Sequence, residues 1–241
     1  MALLEERHWW FQGSRRVVLS LLEPLLPQGL PLLDVGCGTG LTLALLEHRV
    51  GIPTASLSGV DVSMDALAIA ATRTGARLTR SPASRLQFAD GQFGIVTLLD
   101  VLEHVEDDDA AMLEAARVLR PRGFVLATVP AHPALFSTHD QALGHHRRYR
   151  ESGLRRLAAM ASLEVCRLTP CNCLLSPPIA LVRLAKRHLP GRGGGPSKSD
   201  LALPPQLLNS LLAALFSAEA RLLKLGDLPF GISWLALFRK V

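Results

Sequence analysis

The sequence predicts an α/β fold, a doubly wound and mostly parallel sheet with helices on both faces. Three observations carry this. Residues 30–35 form a short apolar run that ends in Asp34-Val35 and turns through Gly36, Gly38 and Gly40 into a helical pattern over 41–46. Residues 55–63 form a second run that ends at the acid Asp61 and leads into a helical pattern over 64–72. Further strand-like runs at 76–80, 93–100, 124–129 and 163–168 are interleaved with helical stretches at 107–119 and 152–160, the order expected of βαβ units.

The glycine turn carries the first chemical statement. Without a Cβ, the backbone can bend sharply and approach a ligand closely at the end of a strand. The spacing is G-x-G-x-G, and Leu41 stands where a dinucleotide fingerprint has its third glycine. This makes a nicotinamide-dependent reductase the weaker alternative. The absence of a Lys-Ser or Lys-Thr pair excludes a phosphate-binding P-loop. Asp61 follows at about the 20-residue offset where an acid meets ribose hydroxyls, since a carboxylate accepts from two neighbouring hydroxyls. Its other use is to cap the next helix, a task that Ser63 can also serve.

The remaining elements follow in order. Trp9, Trp10 and Phe11 lie behind His8, ahead of a helix predicted over 14–26 that either caps the core or closes over the ligand as a lid. Asp107, Asp108 and Asp109 suit the positive end of a helix. The strand-end segment Asp100-Val101-Leu102-Glu103-His104-Val105 faces the ligand crevice, where His104 is either a general base or a shaping residue. After the fifth strand comes the most polar stretch, with His132, His139, Asp140, His145, His146, Arg147, Arg148 and Tyr149. His139 and His146 are further candidates for catalysis, and Arg147, Arg148 and Tyr149 for holding an anionic substrate group. The histidine spacing matches no zinc signature, so no metal is expected.

Residues 169–230 read as a helical insertion, two apolar helices around a flexible Gly-rich linker at 191–196 that build an acceptor pocket or an interface. Its segment 181–189 is basic and amphipathic, suited to packing on the sheet, to a second subunit in a homodimer, or to peripheral contact with an anionic membrane. The net charge of +5 permits nucleic acid, but one Tyr and three Trp without aromatic–basic interleaving give no clear nucleic-acid signal. Four cysteines without zinc spacing read as reduced thiols of a cytoplasmic protein, and no signal peptide or spanning helix is expected.

The string Asp34-Val35-Gly36-Cys37-Gly38-Thr39-Gly40 resembles the first motif of class I S-adenosylmethionine-dependent methyltransferases. Residues 100–105 resemble that family's strand-end signature, and His139-Asp140 followed by His145-His146-Arg147-Arg148-Tyr149 is similar to an arrangement in a subset of it. The resemblance covers roughly 6–168 and the final strand. It implies a seven-stranded sheet whose last strand, at 232–239, is antiparallel, with a cofactor-binding domain formed by 1–168 and 231–241. It implies S-adenosylmethionine as cofactor, with its methionine part on Asp34 and on Gly36, Cys37, Gly38 and Gly40. The ribose falls to Asp61 beside Val62, the adenine to the Ala83 backbone, with Leu99 and Asp100 completing the site. The acceptor is then a small molecule or a lipid-linked intermediate. Pro82 and Gly94 stand where the family commonly has aspartates, and Arg122 where it has glycine. The departures at Pro82 and Gly94 keep open a catalytically silent S-adenosylmethionine-binding or assembly protein.

Overall fold

The computed structural model describes residues 2–26, 29–177, 179, 181 and 203–241. Seven strands form one sheet: β1 (Leu32–Val35), β2 (Leu57–Asp61), β3 (Arg77–Arg80), β4 (Phe93–Leu99), β5 (Leu119–Pro130), β6 (Leu163–Cys171) and β7 (Ser233–Lys240). Their order is β3-β2-β1-β4-β5-β7-β6. Neighbours are parallel from β3 to β5, and β7 runs antiparallel to both β5 and β6. All four residues of β1 are buried, and β4 is buried up to its last residue. This is why those strands read as unbroken apolar runs rather than alternating ones.

The described helices are α1 (Ala2–Arg7), α2 (Trp9–Leu22), α3 (Leu41–Leu45), α4 (Met64–Arg73), α5 (Asp108–Val118), α6 (Thr138–Ala142), α7 (Glu151–Met160) and α8 (Gln206–Leu222). They divide between two cores, one on each side of the sheet. Ala111, Met112 and Ala115 of α5 and Leu154 and Leu157 of α7 pack with Val96, Leu98 and Val125. Val17, Val18 and Leu22 of α2, Leu43 of α3 and Phe216 of α8 pack with Leu32, Ile95 and Leu126.

Three elements differ from the sequence expectation by three residues or more at a boundary. The helix expected over 14–26 begins at Trp9 and ends at Leu22, because His8 supplies its N-cap by accepting the Trp10 N–H at 3.3 Å. β5 begins at Leu119 rather than 124, the ladder shifting register between Phe93 and Ile95 on β4 so that the turn-like residues form a bulge. Arg122 takes φ +62 within that bulge, the conformation for which the family's glycine is suited. β6 continues to Cys171, three residues beyond its expected end.

The expected linker at 191–196 lies outside the described residues, as does most of the basic segment 181–189. No helix among the described residues is long and apolar enough to cross a membrane.

Because β1, β2, β4 and β5 are parallel, their C-terminal ends share one edge of the sheet. The loops after them therefore converge, and the site is built there.

Candidate active site

The loop after β1 is held in a conformation that only glycine tolerates at two points. Gly36 has φ +69, and a Cβ there would sit 2.5 Å from Val101 Cγ2. Gly40 has φ +75, and its Cβ would lie 2.7 Å from that of Ala70. The loop is pinned to β2 at two places. The Cys37 N–H donates to the Val60 carbonyl at 2.9 Å, and the Gly38 N–H donates to Asp61 Oδ2 at 2.9 Å. Asp61 Oδ1 accepts the Ser63 N–H at 2.8 Å, and Ser63 itself caps α4. Asp61 thus ties the end of β2 to the glycine loop. Asp34 is only 3% exposed and takes the Thr97 hydroxyl on Oδ1 at 2.6 Å. Burial pushes its carboxyl up to about 7 despite that bond.

A roof lies over this loop. The Thr39 hydroxyl donates to a Glu5 carboxylate oxygen of α1. Arg73 of α4 donates to Thr39 Oγ1 at 2.6 Å and to Glu6 at 2.7 Å. Between α1 and α2, the Trp9 N–H reaches Asn209 Oδ1 of α8 at 3.0 Å, and Asn209 Nδ2 returns to the Arg7 carbonyl at 2.7 Å. Trp10 rests on Phe216 with ring centroids 5.4 Å apart.

Beneath the roof is a cavity of about 910 Å³. Gly36, Cys37, Gly38 and Thr39 form one end. Trp9, Trp10, Phe11, Leu175, Ile179 and Leu212 give it an apolar side. Asp100, Glu103, His104, His139, His145 and Arg148 form the polar floor.

The expected residues divide accordingly. Gly36, Cys37, Gly38, Leu99, Asp100, His104, His139 and Arg148 line this cavity. Asp34, Gly40, Asp61, Val62, Ala83, His146, Arg147 and Tyr149 are not on its wall. Gly40 and Asp61 act through the loop, as described above, and Asp34 points into the sheet toward Thr97. Val62 is exposed at the end of β2, and Ala83 packs against the core on the α5 side.

Arg147 and Tyr149, expected to hold substrate, turn instead to α5. Arg147 donates to Asp108 Oδ1 at 2.5 Å and to the Glu106 carbonyl at 2.6 Å. The Tyr149 hydroxyl donates to Asp108 Oδ2 at 2.8 Å. The acids that suit the α5 N-terminus are thus also the partners of these basic and phenolic side chains. His146 is exposed, and its N–H donates to the Glu103 carbonyl at 2.7 Å.

Asp100 sits at the strand end with φ +54, its N–H accepted by the Thr128 carbonyl at 3.0 Å and its Oδ1 taking the Thr128 hydroxyl at 3.0 Å. Burial raises its carboxyl. Glu103 is 1% exposed, and burial together with the neighbouring Asp100 lifts its carboxyl well above the usual range. Burial and the approach of His145 lower His104.

Sequence reasoning had no access to Glu103 or His145 as neighbours, because they come from loops after different strands. It also missed Glu5, Leu175, Ile179 and Leu212. Only the fold, which sets β4 beside β5 and α8 beside α2, joins them.

A methyltransferase-domain family model matches residues 33–127. A ubiquinone biosynthesis O-methyltransferase of Dechloromonas aromatica is 30% identical over 188 residues, 65% of this chain and 78% of that protein. The chain belongs to the class I S-adenosylmethionine-dependent methyltransferases. A second ubiquinone biosynthesis O-methyltransferase, from Thiobacillus denitrificans, is 31% identical over 193 residues, 67% of this methyltransferase and 80% of that one. Demethylmenaquinone methyltransferase of Staphylococcus aureus is 35% identical over 112 residues, 45% of this chain and 46% of its own length. In fold, this methyltransferase superposes on an S-adenosylmethionine-dependent methyltransferase of Mesorhizobium loti with a TM-score of 0.57 at 18% identity, covering 91% of this chain and 96% of the other. It also superposes on the cyclase SpnF with a TM-score of 0.61 at 22% identity, covering 96% and 83%. The cofactor is S-adenosylmethionine.

Proposed function

We propose that this methyltransferase acts on an apolar, lipid-linked ring compound bearing a hydroxyl group. The observation that carries the proposal is the shape of the cavity. One end is the glycine loop, one side is aromatic and aliphatic, and the floor holds a cluster of carboxyl and imidazole groups. The relatives named for ubiquinone biosynthesis and for demethylmenaquinone support an acceptor of that kind.

The residues present suit the cofactor. Around Gly38 the space where a side chain would stand is open, with nothing within 4 Å. A ligand can therefore lie directly on the backbone of the loop. In this reading Gly36, Cys37 and Gly38 hold the methionine part, and Asp61 and Val62 stand at the ribose. Ala83 serves the adenine, and Leu99 and Asp100 close the strand-end side. When bound, the cofactor supplies a methyl group on a positively charged sulfur, ready for in-line displacement. The protein's part is alignment and exclusion of water. The roof formed by α1 and α2 keeps the reacting end dry. Trp9, Trp10 and Leu212 hold the acceptor's apolar body. His139 is one of the imidazoles on the wall that can take the acceptor's proton.

Residues 169–230 contribute acceptor wall in this proposal, through Leu175, Ile179 and Leu212. The test is methyl transfer from labelled S-adenosylmethionine to a panel of hydroxylated rings with and without an isoprenoid tail. We expect product with the tailed compounds, and a KM that rises about tenfold when Leu212→Glu puts a charge in the apolar wall. Equal turnover of untailed and tailed compounds would remove the lipid-linked part of the reading.

A further inference from the structure

We propose that Glu103, His104 and His145 form a divalent-cation site on the floor of the cavity. One ligand atom from each lies within 4.8 Å of the other two. Zinc ligands sit about 2.0–2.2 Å from the ion. Small side-chain rotations therefore suffice to bring these three onto one ion.

The second observation is independent of the clustering. Glu103 Oε2 is buried and has no hydrogen-bond partner among the described residues. A carboxylate oxygen taken out of water without a partner is costly, and a cation is the partner that this environment lacks. Asp100 stands close enough to act on Glu103 electrostatically and adds negative charge to the spot.

The support around the ligands is that of a metal site. The rings of His104 and His145 meet edge to face, with centroids 4.6 Å apart and planes at 90°. His145 Nδ1 faces Asp140 Oδ1 at 3.3 Å. That bond fixes the tautomer and leaves the Nε2 lone pair for a ligand role, the carboxylate–histidine–metal pattern. Asp140 is in turn held by Arg148, so its charge is balanced outside the site. Two imidazoles and one carboxylate suit a borderline ion such as zinc, manganese or iron(II) better than calcium or magnesium. Three protein ligands also leave a position open to the cavity.

The role of that position rests on the methyl-transfer reading above. An acceptor hydroxyl bound there releases its proton to water at neutral pH. The ionised oxygen then forms the O–C bond as the C–S bond breaks, and the electron pair of that bond returns to sulfur.

The experiment titrates zinc(II) alone into the metal-free protein, in competition with a chelating dye, and counts bound zinc by elemental analysis. We expect one ion per chain. Glu103→Gln and His104→Asn should each weaken binding at least about tenfold, with unchanged circular dichroism. His48→Asn, at an exposed histidine outside the cavity, should leave it unchanged. Less than one ion per chain, or an affinity that neither cavity substitution moves, overturns the site. Calorimetry with S-adenosylmethionine on the same metal-free protein separates the two readings. Cofactor binding without zinc binding overturns the cation site alone. Zinc binding without cofactor binding supports the site and overturns the methyl-transfer role given to it.

Discussion

Arg148 places two guanidinium nitrogens on a single oxygen of Asp140, Nε at 2.8 Å and Nη2 at 2.6 Å, and both side chains are buried. The same Asp140 accepts the Ser137 N–H at 2.8 Å and closes the first turn of α6. Burial would raise its carboxyl, but His145 and Arg148 hold it well below the usual carboxylate range. Removing Arg148 leaves a buried charge uncompensated. We expect Arg148→Met to destabilise the fold by about 3–5 kcal/mol, read by urea denaturation. The loss should shrink at low pH, as Asp140 takes up a proton.

Asp61 holds the glycine loop through the Gly38 N–H. We expect Asp61→Ala to weaken S-adenosylmethionine binding about 10- to 100-fold, the value of one or two charge-assisted hydrogen bonds of about 1.5–3 kcal/mol. Calorimetry checks it. An affinity equal to that of the parent protein would mean that the loop keeps its shape without the carboxylate.

Asp34 sets a pH dependence of its own. Its folded-state value, about 7, lies above the value of about 4 in the unfolded chain. The folded state therefore keeps the proton longer. Its stabilisation is complete below about pH 4 and is lost as pH rises toward 7. Asp34→Asn keeps the shape without the charge. We expect the variant to lose this slope and to be more stable than the parent above pH 7, measured by denaturation at pH 5 and pH 8.

Glu5 fastens α1 to the loop through Thr39, and it pairs with Arg73 at 3.6 Å. We expect Glu5→Ala to speed release of S-adenosylmethionine several-fold in stopped-flow measurements. Global stability should change by less than about 1 kcal/mol, because ion pairs near the surface contribute little. Added salt should speed release from the parent protein in the same direction.

The parts of this architecture that depend on local pattern were legible in the sequence. The alternation of β1, α3, β2 and α4 follows from apolar runs, glycines and Ser63, each acting within a few residues of itself. Gly94 shows what was not. Where the family commonly carries Asp, a Cβ here would fall 2.6 Å from Leu30 Cβ. Gly94 also lies at the start of β4, opposite the ligand edge, so the departure belongs to packing and carries no argument for a silent protein. The contacts of Arg147 and Tyr149 were hidden for a related reason. Their partner Asp108 is 39 and 41 residues away, and only the fold brings it near. The grouping of Glu103 with His145 was hidden in the same way. The aromatics at the N-terminus were visible, but that they meet Phe216 was not.

The placement of β7 between β5 and β6 bears on the order of events during synthesis. β7 is made after β6 and fills the position between β5 and β6, so β6 has no neighbour until residues 233–240 leave the ribosome. The Trp9–Asn209 bond spans 200 residues, so the roof also waits for α8. A half-made chain can form the parallel strands β1 to β5 and the glycine loop, but it has neither the covered cavity nor a closed sheet. Such long-range closure is slow and exposes apolar surface while it is pending. The nascent protein is thus at its most aggregation-prone just before it becomes able to bind anything.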